Sequence, residues 1–204
     1  DLDYPQLNPI NMPEFEKYKL DNGMTIYLME NHEFPVITAY MRIDARSLYD
    51  PADKIGLAEM TSDMLRLGGA GEMTPDEVDL FLESIGADFD VSANVNRATV
   101  EVKSLTENFE EVFSMMADAV QRPMFDESKF MWAKNQWKNG IMHRNDQPDD
   151  IIQKEYPKAI LGADHPYARH EEMYTIDAIT LDDVHQFHKG YYVAINRELG
   201  TVAD

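Results

Sequence analysis

The sequence predicts an α+β domain, a mixed and largely antiparallel sheet covered by helices. Strand-like and helix-like segments come in blocks and do not alternate one by one. A hairpin signal, Asp21-Asn22-Gly23, sits inside the first strand block. Over 204 residues, 44% hydrophobic content supplies a core for a single large domain.

Residues 1–14 hold three prolines and no periodic pattern, so an extended lead-in is expected there and the domain over 15–204. Alternating apolar runs flank the Asn22-Gly23 turn, and a third strand follows Pro35. "SLYDPADKI" reads as a loop with Pro51 and its aspartates as turn formers. A helix follows from Gly56 to Leu67, then a second from Pro75 to Ile85, opened by Thr74 as N-cap and Pro75 in the first helical position. Gly68, Gly69 and Gly71 between them read as a helix stop and turn; a phosphate loop would need a preceding strand and a Lys-Ser/Thr pair, and both are missing.

"ADFDVSANVNRATVEVKSL" gives two more strands. Phe109, Val112, Phe113, Met116 and Val120 then form a helical stripe that Pro123 ends. Asp126 caps a long helix running through Trp132 and Trp137 to the region of Arg144. Pro148 starts another, with a kink or break expected at Pro157. Thr180 caps the last helix, and "NRELGTVAD" supplies the final strand. No internal repeat or low-complexity tract is evident.

Charge and composition exclude several functions. Lys plus Arg number 18 against 38 Asp plus Glu, a formal charge of −20. That charge repels phosphate backbones and anionic headgroups, which argues against nucleic acid and membrane surfaces as partners. No apolar run reaches the roughly 18 residues of a membrane span, so no membrane insertion is expected. The start has neither a basic nor an apolar leader region, and no signal peptide is expected in the given chain. Cysteine is absent, which rules out disulfides, thiolate catalysis and cysteine-based zinc sites but leaves the compartment open.

The richest stretch is "GLAEMTSDMLRLGGAG". Leu57, Met60, Thr61, Met64 and Leu67 share one helix face, and Glu59, Ser62, Asp63 and Arg66 share the other. Side chains at i and i+4, here Glu59 and Asp63, can grip one ion, although two carboxylates suit hard ions better than zinc. The plainer expectation is an exposed face on which Asp63 pairs with Arg66. Ser62 lacks the Gly-x-Ser-x-Gly elbow of a serine hydrolase. His185 and His188 share a helix face without an identifiable metal-binding partner, so they read as surface or packing groups. Trp132, Trp137, Met115 and Met116 lie at helical spacing and are expected in the core.

Five segments in order resemble the N-terminal domain of the M16 metallopeptidases, the pitrilysin, insulin-degrading and mitochondrial-processing-peptidase family. They are "YKLDNGMTIYLMEN", "GLAEMTSDML", "LESIGADFDVSANVNRATVEV", the "HPYAR" turn with His165 and Tyr167 in packing roles, and "TIDAITLDDVHQFHKGYYVAINREL". The resemblance implies an M16 half-domain that is one part of a longer two-domain chain. It places Glu59 and Asp63 where that family has its two zinc histidines, and Ser62 where it has the glutamate that activates water. The family's third ligand, a glutamate, falls on Gly140 by interval from Asp63, and again by registering Asp146 and Pro148 on the downstream pattern.

The resemblance therefore implies a zinc-less member with no cofactor, although catalytic relatives use zinc. It would pair with an active zinc-bearing M16 subunit, or with its own copy, around unfolded peptides. One alternative is an active metalloendopeptidase with a Glu59/Asp63/His143 centre, His143 lying one helical turn beyond Gly140. Another is a stand-alone peptide-binding module. The strand with Asp88, Phe89, Asp90, Val91 and Ser92 corresponds to the family's substrate-holding edge strand. Two-subunit bacterial members are exported, which points to a periplasmic location.

Overall fold

A computed structural model describes residues 13–163 and 165–203; the expected lead-in lies outside the described residues as far as residue 12. In chain order the elements are β1 (Glu16–Lys19), β2 (Thr25–Glu30), β3 (Val36–Ile43), α1 (Leu57–Leu67), α2 (Pro75–Ile85), β4 (Asp88–Ala93) and β5 (Ala98–Leu105). There follow α3 (Phe109–Gln121), α4 (Glu127–His143), α5 (Pro148–Leu161), α6 (Met173–Ala178), α7 (Leu181–Tyr191) and β6 (Arg197–Ala203).

The strands form one sheet in the order β1-β2-β6-β3-β5-β4. Every neighbouring pair is antiparallel except β2 and β6, which run parallel from Thr25↔Glu198 to Glu30↔Ala203. The sheet is mixed because β6 enters from the far end of the chain and inserts between the first two hairpin partners and β3. Strict alternation on β3 sends Ile37, Ala39, Met41 and Ile43 inward, and Val100 and Val102 of β5 join them. Helices α1 and α3 close this face with Met60, Met64, Val112 and Met116, all fully buried.

Local chemistry sets the helix ends. Thr74 and Glu77 form a reciprocal capping box at α2, and Thr180 and Asp183 repeat it at α7. The Asp126 carboxylate accepts from Lys129 N at 3.0 Å to start α4. Beyond α1, Gly69 turns the chain at φ +90°, where a Cβ would stand 2.8 Å from Met73 O.

Two expectations are corrected, and one element is added. Helix α5 runs unbroken through Pro157. It has no buried residue, so the loss of one hydrogen bond there falls on a solvated helix. Trp132 is 52% exposed, while Trp137 is half-buried and Met115 and Met116 lie in the core as expected. The short helix α6 carries no periodic signal of its own; it is held by the buried pair Thr175 and Ile176.

Gly56 precedes α1 at φ +103°, and a Cβ there would approach Ile176 Cδ1 to 2.9 Å. Gly56→Ala is expected to cost about 1–3 kcal/mol of unfolding free energy through backbone strain. Urea denaturation checks this, and an unchanged midpoint would contradict it.

Candidate functional site

Helix α1 is positioned from its N-terminus. Asp50, 4% exposed, lies six residues before Gly56 in sequence. Its Oδ2 accepts from Gly56 N at 2.9 Å and its Oδ1 from Ala58 N at 3.0 Å. Two amides that helix geometry leaves without partners are thereby satisfied by a negative group at the positive end of the dipole. Arg169 ties down the same loop, donating to Ser47 O at 2.9 Å and Asp50 O at 3.3 Å. The sequence marks Asp50 only as a turn former, because a cap this far upstream lies outside any local capping pattern.

The polar stripe of α1 is not an exposed face. Ser62 is 1% exposed, and its Oγ lies 3.0 Å from the hydroxyl of Tyr192, itself buried at the end of α7. Asp63 accepts from Trp137 Nε1 at 2.6 Å, a bond that ties α1 to α4. Arg66 does not pair with Asp63; it donates to Asp79 of α2 at 2.8 Å. Glu59 is largely enclosed, and its Oε2 is buried without a hydrogen-bond partner.

Burial dominates the electrostatics. It pushes the Asp50 carboxyl up to about 7, helped by the Glu59 charge and opposed by its two amide donors and Arg169. Burial likewise raises Glu59, with Glu171 and Asp63 adding to the rise. Asp63 is raised by burial and by Asp90, against the lowering effect of the Trp137 donor. Tyr192 is raised strongly by burial, so its hydroxyl stays neutral beside Ser62.

Between α1, α4 and α5 lies a cleft of about 640 Å³ lined by Asp63, Trp132, Trp137, Gly140, Arg144 and Glu171, among others. Gly140 thus faces the same space as Asp63, as its position in the family pattern implies, and a Cβ there would meet nothing within 4 Å. Arg144 stands at the cleft wall, donating to Glu171 O at 2.6 Å and Glu172 Oε2 at 2.8 Å. Sequence inspection did not single out Arg144, Glu171 or Tyr192; each acquires its place only through contacts between distant elements.

His143 stands elsewhere. It is exposed and its Nδ1 lies 2.8 Å from Asp146 Oδ2, and it is not among the residues lining the cleft. His185 and His188 pack edge-on against the Phe125 ring, and His188 Nε2 bonds Val120 O at 2.9 Å. His165 accepts from Tyr167 N at 3.2 Å in a short turn, and the Tyr167 hydroxyl reaches Asn96.

Zinc hydrolysis asks for three ligands of nitrogen, sulfur or carboxylate type, an open water position and a base. The residues here do not fit it. Two carboxylates stand on α1, both raised by burial, with no side chain at Gly140 and a serine already engaged by Tyr192. Among the described residues no group of three or more His, Asp or Glu is disposed to hold a metal ion.

The β4 edge is placed beside this site. Among the described residues strand β4 ends the sheet, pairing only with β5, and α1 packs against it. Phe89 and Val91 point into the core, while Asp88, Asp90 and Ser92 are exposed.

The raised Asp50 has a definite pH signature. In the folded state it binds its proton more tightly than at its ordinary value of 3.8, so its contribution to stability is fully present below that value and is lost as pH rises through about 7. Unfolding free energy is expected to fall between about pH 4 and 7 by up to about 1.4 kcal/mol per pH unit from this group. Asp50→Asn, which keeps one acceptor, should flatten that slope. An unaltered profile in chemical denaturation would contradict the assignment.

Comparison with known proteins finds the same fold. The structure superposes on the peptidase M16 inactive domain of Pseudomonas fluorescens with TM-score 0.85 at 26% identity, covering 94% of this chain and 47% of that one. A protease of Helicobacter pylori matches in fold with TM-score 0.84 at 20% identity, over 95% of this chain and 47% of its own. An uncharacterized zinc protease of Rickettsia felis is 22% identical over 148 residues, 72% of this chain and 35% of the relative. This chain therefore spans about a third of that relative and about half of the two structures. The model of the insulinase family, peptidase family M16, matches residues 25–170, more than half of the sequence, and the chain belongs to that family.

Proposed function

We propose that this chain is a non-catalytic M16 domain that pairs with an active, zinc-bearing M16 subunit and completes a chamber around unfolded peptide. The observation that carries the proposal is the state of Ser62. At the position of the family's general base stands a hydroxyl that is 1% exposed and bonded to a buried tyrosine. Such a group neither accepts a proton near neutral pH nor meets water. Gly140, at the position of the third ligand, supports the same reading by offering no donor. The Pseudomonas fluorescens structure is named an inactive domain, and its likeness supports it further.

Peptide binding does not need the metal. An edge strand holds an extended segment through its backbone, and among the described residues β4 has its outer edge unpaired beside α1. The chain would then contribute a holding surface while the partner contributes the chemistry.

Supplied with zinc, the chain alone is expected to leave an unstructured peptide uncut. Added to a catalytic M16 subunit from the same organism, it is expected to raise that subunit's cleavage rate by an order of magnitude or more. Zinc-dependent cleavage by this chain alone, abolished by Asp63→Ala, would overturn the proposal. So would a catalytic subunit whose rate is indifferent to its presence.

A further inference from the structure

The cleft between α1 and α4 is closed to a cation by more than its substituted positions. Trp137 lies one turn before Gly140 on the same face of α4, and both line the cleft with Asp63. The indole Nε1 donates to Asp63 Oδ2 at 2.6 Å. An indole nitrogen is a donor only and has no lone pair to offer a metal. Towards the carboxylate it nevertheless takes the place of a cation, since it sets positive charge against that oxygen and occupies a lone pair. An ion that Asp63 were to ligate must first break this bond. The ring is half-buried and packed on the core, so turning it aside costs packing as well.

The neighbouring positions are less firmly closed. Gly140 is exposed and a Cβ there would meet nothing within 4 Å, so packing does not demand a glycine. Inside a helix glycine is also among the least favourable residues, and a longer side chain fits there on both counts. One turn before Asp63 on α1, Glu59 keeps its Oε2 without a hydrogen-bond partner. Arg144, one turn beyond Gly140, is held by Glu171 O and the Glu172 carboxylate. Ser62 is engaged by Tyr192, but a base serves hydrolysis and is not needed to hold an ion. Asp63 is therefore the position where a donor already stands in the cation's place.

We propose that Trp137 is a positioning residue that excludes a divalent cation from the cleft, by holding Asp63 through its indole N–H. This rests on the reading of the chain as non-catalytic and names the residue that keeps it free of metal. Gly140→Glu adds a third carboxylate beside Glu59 and Asp63 but leaves Asp63 occupied. Trp137→Phe keeps an aromatic ring and removes the N–H, which frees Asp63 for an ion. Only the two changes together offer three carboxylates to one cation.

The test is calorimetric titration with zinc of the unaltered chain, of Gly140→Glu, and of Trp137→Phe/Gly140→Glu with and without Asp63→Asn, each checked for folding by its melting curve. A further variant of Gly140→Glu carries 3-benzothienylalanine at position 137, an isostere of tryptophan with sulfur for the N–H, which separates the bond from the packing of the ring. The Trp137→Phe/Gly140→Glu chain and the isostere are expected to bind one zinc about tenfold or more tightly than Gly140→Glu alone. Asp63→Asn should remove that gain, which a merely structural role of Trp137 would not produce. Equal zinc affinity with and without the indole N–H, or no zinc binding by either altered chain, would overturn this inference and leave the non-catalytic reading intact. Tight binding of one zinc by the unaltered chain would overturn both.

Discussion

The buried carboxylate of Asp50 at the first turn of α1 is the contact on which the arrangement of the site depends. Helix α1 lies against β4, α4 and α7, so its axis and rotation fix everything the site contains. A helix enclosed on so many sides has no water for its first amides, and an unpaired buried amide costs about 1–3 kcal/mol. Asp50 satisfies two of them at once, while Gly56 makes the sharp entry and Arg169 clamps the loop. The balance is tight. The same burial that makes the bonds strong raises the carboxyl to about 7, so the anchor is sensitive to its proton near neutrality.

From that anchor the polar side of α1 faces inward and is used for cohesion. Ser62 reaches α7 through Tyr192, Asp63 reaches α4 through Trp137, and Arg66 reaches α2 through Asp79. Each bond joins α1 to a different helix, so one helix face holds three neighbours. A group that serves chemistry must keep a lone pair or an open position for substrate and water. Here the serine and one carboxylate are committed to partners, and the glycine on α4 contributes only space. Glu59 keeps a buried oxygen without a partner, and its raised affinity for a proton relieves the burial of charge.

Much of this was legible in the sequence, for reasons that can be named. The Asn22-Gly23 turn, the Thr74 and Thr180 caps and the glycines around α1 are local signals, and they placed the hairpin, α2, α7 and the limits of α1. Alternation on β3 and β5 placed the sheet and its buried face. Family order brought Gly140 to the same cleft as Asp63. What local pattern did not give is pairing between distant elements. Asp63 with Arg66 is the sensible neighbour pair on an isolated helix, yet Asp79 lies within reach of Arg66 and Trp137 within reach of Asp63 once α2 and α4 have packed. Asp50 is the sharpest case, since nothing in "SLYDPADKI" distinguishes an anchor from an ordinary turn aspartate. Trp132 fails the other way: its apolar ring suggested core, but it stands at the mouth of the cleft, 52% exposed.

The proposal stands on the polar face of α1 being given over to holding its neighbours in place of zinc. The most direct test is calorimetric titration of the purified chain with zinc at neutral pH. The account predicts no stoichiometric binding tighter than the micromolar range. One zinc held per chain below that range, and lost in Asp63→Ala, would contradict it.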